Sequence, residues 1–324
     1  MKAQVLTAET GPSALQLTEV PDPVPADGQV LVDIKSCGVC FPDLLMTQGA
    51  YQLRLPTPFT PGIEIAGVVR SAPADSGYAA GDQVLATASS GGFAEQIAVA
   101  PETLLWLPGG LTFDEGAAMG INFQTALFAL KMRAHTGPGE IVGVLGAAGG
   151  VGIASILVAK AMGATVVAVV HRSGAEEMLR GLGADHVVAL ADGWGARLKE
   201  FAPEGVDVLI DPVGGEVFDE ALRQVAPDGR YVVIGFAAGG IPTVKLNRVL
   251  FRNIAVVGAA WGEYLRTHPD EPVAASLHDD LTEMIAAGMR PPVSVTYPLE
   301  ELPRALTDLA EGRILGKAVI RIAD

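Results

Sequence analysis

Cysteine, aromatic residues and positive charge are all scarce in this chain. Cys37 and Cys40 are its only cysteines in 324 residues, too few for a disulfide framework and in keeping with a reducing, cytoplasmic setting. Lysine and arginine number 22 against 37 aspartates and glutamates, giving a net charge of -15 and a pI near 4.7. That balance argues against nucleic acid and anionic membrane as partners. The opening MKAQVLTAETGP lacks the apolar stretch of a secretory signal. One long uncharged run exists, Ile141 to Ala159, but it carries five glycines. It reads as a buried strand, a tight turn and a helix, not as a membrane span.

Apolar residues are plentiful, at 49% of the chain, and the length suits two domains. Residues 1–120 are rich in proline and glycine. KAQVL, ALQLTEV, QVLVDIKSCG, EIAGVVRSA and DQVLATAS predict strands of a β-rich domain there. Over residues 121–260, six apolar strands alternate with helices: EIVGVLG, TVVAVV, DHVVAL, VDVLID, GRYVVIG and NIAVVGAAW. Strands so uniformly apolar predict burial on both faces, hence a parallel sheet with helices on each side, the doubly wound α/β dinucleotide fold. In residues 261–324 a helix is predicted over Asp279 to Ala287, and Leu302, Leu306 and Leu309 fall on one face of another. GKAVIRI closes the chain as a strand returning to the first domain.

Read on the G-x-G-x-x-G template, Ala147-Ala148-Gly149-Gly150-Val151-Gly152 places Gly149 where backbone approaches a pyrophosphate. Gly152 falls where a helix packs on a strand, and Ala147 replaces the first glycine. Backbone N–H groups from Ala148 to Gly152 are then the phosphate-facing donors at a helix N-terminus. The next strand ends at Val170, about twenty residues on, where an NAD site carries Asp or Glu for the ribose 2′-hydroxyl. Here the sequence is HRSG, with no acid before Glu176. Arg172 would attract a 2′-phosphate and Ser173 would add a hydrogen bond, so NADPH is expected over NADH. The plain alternative for Arg172 is a solvated loop charge.

With these residues stand CGVCFPDLLMTQGAY, PFTPGIEIAGVV, GDQV, GGFAEQIAV, INFQTALFAL, GAAGGVG, DPVGGEVFDEALR, GRYVVIGFAAG and GKAVIRI, spread over nearly the whole length. On them the chain resembles the medium-chain dehydrogenase/reductase superfamily, on its zinc-free quinone oxidoreductase (zeta-crystallin-like) branch. The resemblance implies a GroES-like substrate domain over 1–120, a Rossmann NADPH domain over 121–260, a returning segment over 261–324, and an active site in the cleft between domains. It implies Asn122 and Thr125 beside the nicotinamide and its ribose, backbone groups of Gly235 and Phe236 on the carboxamide, and Lys317 reaching the cofactor phosphates. It implies a homodimer paired through the strand IAVVGAA. None of His135, His171, His186, His268 and His278 falls in a catalytic motif of the family, so all five are expected in loops or at the surface.

Cys37 and Cys40 taken alone fit zinc ligation, a redox pair or two buried thiols. Zinc-holding members of the superfamily place a Cys where Cys40 stands, a His at Ile63 and a third ligand at Asn122. Isoleucine binds no metal, and one good donor does not make a catalytic zinc site. No metal is therefore expected, and Asp43 and Glu64 are left as acids without one. Cys37 is expected to pack in a strand and Cys40 to line the nicotinamide pocket. Without a Lewis acid, hydride addition to a quinone or α,β-unsaturated carbonyl is favoured over alcohol–ketone exchange, because the charge spreads over a phenolate or enolate. Tyr51 stands where related zinc-free 2-enoyl thioester reductases carry a tyrosine acid; its other reading is an aromatic pocket wall. The rival functions are an enoyl-thioester (enoyl-CoA or acyl-carrier) reductase and a non-catalytic NADPH-binding protein.

Overall fold

The computed structural model describes residues 1–172 and 174–322. The chain forms two compact units, residues 1–121 with 290–324, and residues 122–289. Along the first part run β1 (Lys2–Leu6), β2 (Leu15–Glu19), β3 (Val30–Gly38), α1 (Phe41–Thr47), β4 (Glu64–Ser71), β5 (Gln83–Thr87), β6 (Gln96–Val99), β7 (Leu104–Trp106) and α2 (Phe113–Ala117). Thr112 and Glu115 close a capping box at the start of α2, each side chain taking the other's backbone N–H.

The chain passes between units inside α3 (Gly120–Leu127). Then follow β8 (Ile141–Leu145), α4 (Gly150–Ala161), β9 (Thr165–Val170), α5 (Glu176–Gly181), β10 (His186–Ala189), α6 (Trp194–Lys199), β11 (Val206–Asp211), α7 (Phe218–Ala221), β12 (Val225–Val233), α8 (Leu246–Leu250), β13 (Ala255–Gly258), α9 (Trp261–Thr267) and α10 (Val273–Ala286). The chain ends with β14 (Val295–Pro298), α11 (Leu302–Ala310) and β15 (Ala318–Arg321).

The second unit holds a six-stranded sheet in the order β10-β9-β8-β11-β12-β13, every pair parallel. The order reverses between β8 and β11, and in such sheets the ligand crevice lies at the carboxyl ends of the strands at that point. Val166 to Val170 and Val208 to Ile210 are buried, as strands covered by helices on both faces require. β13, at one edge of the sheet, departs from this rule: Val256 is 43% exposed and Ala255 and Gly258 are exposed. An apolar composition there answers to something other than a covered face.

The first unit holds a seven-stranded sheet ordered β14-β15-β3-β4-β5-β7, with β6 also paired to β3. β15 lies antiparallel to β3 with Val319 opposite Gly38 and Ile320 opposite Cys37. Val30, Val32, Ile34 and Cys37 of β3 pack with Ile65, Val84 and Phe93 and with Leu302 and Leu306 of α11. Leu302 and Leu306 are fully buried, the face that their spacing predicts.

Two expectations need correction. The returning segment begins at Arg290, not at residue 261, because α9 and α10 belong to the second unit. Trp261 packs on Phe128 with ring centroids 5.1 Å apart, and Lys131 pairs with Asp280 at 2.5 Å. His278, expected at the surface, is buried in α10. No helix among the described residues is long and apolar enough to cross a membrane.

Candidate active site

In the second unit the turn from β8 into α4 is built around small residues. Gly146 takes φ +58°, and a Cβ there would meet Val213 at 2.8 Å. The left-handed turn glycine is thus Gly146, one position before the Ala147 of the sequence template, and no turn residue is missing. Ala147 donates its N–H to the Val169 carbonyl of β9 at 3.2 Å, and Ala147 and Ala148 are buried. A Cβ on Gly152 would lie 2.3 Å from the Gly146 carbonyl, so only glycine lets the helix start so close to the strand. Gly149 caps α4 with no side chain, leaving the first helical N–H groups for an anion.

Asn122, Gln124 and Thr125 of α3 are all at least nine-tenths buried, Asn122 and Thr125 one turn apart. The Asn122 amide comes within 2.3 Å of where a Gly150 Cβ would be, so Asn122 sits beside the start of α4. Gln124 Nε2 is buried without a hydrogen-bond partner among the described residues. Arg172 follows the end of β9, which neighbours β8 in the sheet; Ser173 lies outside the described residues. Gly235 follows β12, its N–H reaching the Asp211 carbonyl at 3.4 Å, and Phe236, 40% exposed, lies over Gly214. Asp211 itself organises the loop after β11. It accepts from Val213 and Gly214 N–H at 2.7 and 2.9 Å and from the buried Tyr231 hydroxyl at 2.6 Å.

The first unit contributes a polar cluster closed on itself. Cys40 is the N-cap of α1, with the Asp43 carboxylate accepting its backbone N–H at 2.9 Å and that of Gly62 at 3.1 Å. Lys317 Nζ donates to Glu64 Oε2 at 2.6 Å and to Cys40 Sγ at 3.1 Å, while Cys40 Sγ lies 3.2 Å from the same oxygen. Glu64 Oε1 accepts the Ile121 N–H at 2.7 Å. All four side chains are buried: Cys40 and Lys317 are 4% exposed, Glu64 1% and Asp43 0%. Burial pushes the Cys40 thiol well above its ordinary range, and the nearby ammonium offsets only part of this. Cys40 is therefore a neutral thiol, not a reactive thiolate. Burial also works against the charge on Lys317, but the Glu64 carboxylate at 2.6 Å, with the Cys40 sulfur as a second acceptor, outweighs it and holds the ammonium protonated. Burial raises the Asp43 carboxyl to about 7, against its two N–H donors and Lys317.

Tyr51 and Cys40 come together. Cys40, Met46 and Ile63 form a small buried cluster, and Tyr51, Phe59 and Ile121 pack against it. Burial, then Asp43 and Cys40, raise the half-buried Tyr51 hydroxyl, so it holds its proton as a donor would. Cys37 packs in β3, fully buried. Lys317, expected to reach the cofactor phosphates, has its ammonium on Glu64 and Cys40 inside the first unit. Sequence reasoning named Glu64 and Lys317 singly and missed the pair. The available signal was the buried acid of PGIEIAG, which needs a cation.

Residues 26–109 match an alcohol dehydrogenase GroES-like domain and residues 150–277 a zinc-binding dehydrogenase domain. The quinone oxidoreductase-like protein 2 of Bos taurus is 35% identical over 301 residues, 91% of this chain and 85% of that protein. The chain belongs to the medium-chain dehydrogenase/reductase superfamily, among its quinone oxidoreductases. Two solved structures are similar over nearly the full length. A probable oxidoreductase from Mycobacterium abscessus shares 46% identity with a TM-score of 0.92, covering 99% of each chain. The quinone oxidoreductase of Thermus thermophilus, solved alone and with NADPH, shares 35% identity with a TM-score of 0.87, covering 99% of this chain and all of that one.

Membership brings two groups to test against the residues. A dinucleotide fits: the cap of α4 is a bare glycine, and any side chain at Gly150 would displace Asn122. Zinc, which the name of the second domain implies, does not fit. Ile63 offers no donor atom, both Asp43 oxygens are taken by backbone N–H groups, and the Cys40 sulfur already faces an ammonium. Among the described residues no group of His, Cys, Asp and Glu is arranged to hold a metal.

Proposed function

We propose that this quinone oxidoreductase family member is an NADPH-dependent reductase that transfers hydride to a quinone or α,β-unsaturated carbonyl without a metal. The observation that carries the reading is the Gly149-capped start of α4 beside a β9 end that bears Arg172 and no acid. Bound there, the nicotinamide supplies the hydride. The chain's part is to hold and orient: α4 N–H groups on the pyrophosphate, Arg172 with Ser173 on the 2′-phosphate, Asn122 and Thr125 at the nicotinamide ribose, and backbone at Gly235 and Phe236 on the carboxamide. Tyr51, with its proton held, is the donor to carbon when the acceptor is an enone; a quinone takes its protons on oxygen from water. The NADPH complex of the Thermus protein supports the cofactor choice.

The protein works as a homodimer joined through β13, in the cytoplasm, where its two free thiols stay reduced. The deciding assay is NADPH oxidation against ortho- and para-quinones, enals and enoyl thioesters, repeated with NADH. Turnover of quinones or enals with NADPH supports the reading. Turnover of enoyl thioesters alone would make the protein a thioester reductase, and tight NADPH binding with no turnover would make it a binding protein.

A further inference from the structure

The Cys40–Glu64–Lys317 cluster joins three buried, chemically active side chains through direct polar contacts. Glu64 is a carboxylate at 1% exposure, and an acid so buried needs a cation. We propose that the Lys317 ammonium is the resident cation of this pocket, and that by its charge and position it excludes a divalent metal from the Cys40 sulfur and the Glu64 carboxylate.

Three features of the structure build the site for a lysine. The first is register. Val319 lies opposite Gly38 and Ile320 opposite Cys37 on antiparallel β15 and β3, and Val39 donates its N–H to the Ala318 carbonyl at 3.0 Å. Continued one step, the ladder sets Lys317 across from Cys40. The second is space. A Cβ on Gly38 would meet Glu64 Oε2 at 2.6 Å and Lys317 Cε at 2.9 Å, so the glycine is the gap through which the lysine stem reaches the acid. The third is completeness. One Glu64 oxygen takes the Ile121 N–H and the other takes Lys317, which also reaches Cys40. Glutamate and lysine balance each other, and the thiol stays neutral between them.

A divalent ion in this pocket would face the ammonium at contact range in a dry environment, and it would have to take a proton from Cys40. Lack of ligands at Ile63 and Asp43 makes metal binding weak; the lysine makes it repulsive. The two effects are separable by mutation, because removing Lys317 leaves a thiol and a carboxylate 3.2 Å apart with no counter-cation between them.

The test is a Co2+ titration of the purified full-length protein without nucleotide or acceptor, read by the thiolate-to-cobalt absorption band and by elemental analysis after dialysis. Wild type should show no band. Lys317→Ala should gain cobalt affinity at least tenfold, with the band lost again in the Cys40→Ser/Lys317→Ala double variant. Lys317→Gln keeps most of the stem and a polar end; it serves if Lys317→Ala fails to fold, and the same gain is expected. A cobalt–thiolate band in wild type that Cys40→Ser removes would overturn the proposal. So would a folded Lys317→Ala or Lys317→Gln that binds cobalt no better than wild type. Because no turnover is measured, these results stand whatever the acceptor panel shows.

Discussion

Tyr231 and Asp211 meet through one hydrogen bond of 2.6 Å, with Tyr231 at 0% and Asp211 at 1% exposure. Burial and then Asp211 raise the tyrosine hydroxyl, so it remains a donor at any physiological pH. The other Asp211 oxygen holds the N–H groups of Val213 and Gly214, fixing the loop on which Phe236 packs. Tyr231→Phe leaves a buried carboxylate oxygen without its donor and should cost about 1–3 kcal/mol of stability. The check is urea denaturation at neutral pH; an unchanged midpoint would mean that water replaces the hydroxyl. Arg172 supports a second prediction at this scale. A charge-assisted bond is worth about 1.5–3 kcal/mol, so Arg172→Ala should weaken NADPH binding at least about tenfold and leave NADH nearly unchanged, by calorimetry. Equal losses for both nucleotides would remove Arg172 from the 2′-phosphate. The turn glycines were legible because Gly149 and Gly152 answer to local geometry inside one strand–turn–helix. Lys317 was not, because its partner Glu64 is 253 positions away and only the pairing of β15 with β3 joins them.

At the scale of elements, the buried parallel strands β8, β9 and β11 were plain in the sequence, since a short unbroken apolar run bounded by turn residues reads as a strand covered on both faces. β7 and β14, of three and four residues, were too short to show a period. Joining elements are visible only in three dimensions. The loop entering β8 is tied to β12 by Glu140, whose carboxylate takes the Arg230 guanidinium at 2.8 and 2.9 Å and the Gly137 N–H at 2.7 Å. Burial works against the Glu140 charge, but Arg230 and the Gly137 N–H outweigh it and hold the carboxyl below the ordinary range. An acid with a depressed folded pKa binds fewer protons folded than unfolded. Its stabilisation is fully present above the unfolded value of about 4.3 and fades as pH falls through the folded one. Thermal unfolding of wild type and Glu140→Gln should therefore differ most above about pH 5 and converge in acid. A difference that persists to the lowest pH at which both fold would assign the effect to hydrogen bonding alone.

On the scale of the whole molecule, the sequence disclosed two domains and a strand that returns to the first, but not where the return begins. Nothing in residues 261–289 says which core α9 and α10 join; the packing of Trp261 on Phe128 and the Lys131–Asp280 pair decide it. The same scale explains the exposed apolar surface around β13. An edge strand offers unpaired backbone groups, and proteins usually blunt it with charge or proline. Here Val256 is 43% exposed, and nearby in sequence Leu246, Leu250 and Phe251 are 75%, 69% and 79% exposed. Clustered exposed apolar residues mark association sites, and a strand pairing antiparallel with its own copy across a two-fold axis satisfies both edges at once. If the dimer forms this way, Val256→Lys and Phe251→Asp should each shift sedimentation from dimer to monomer. Both positions are exposed in the single chain, so thermal stability of the monomer should change by less than about 0.5 kcal/mol. A wild type that sediments as a monomer, or variants that remain dimeric, would detach the apolar edge from self-association.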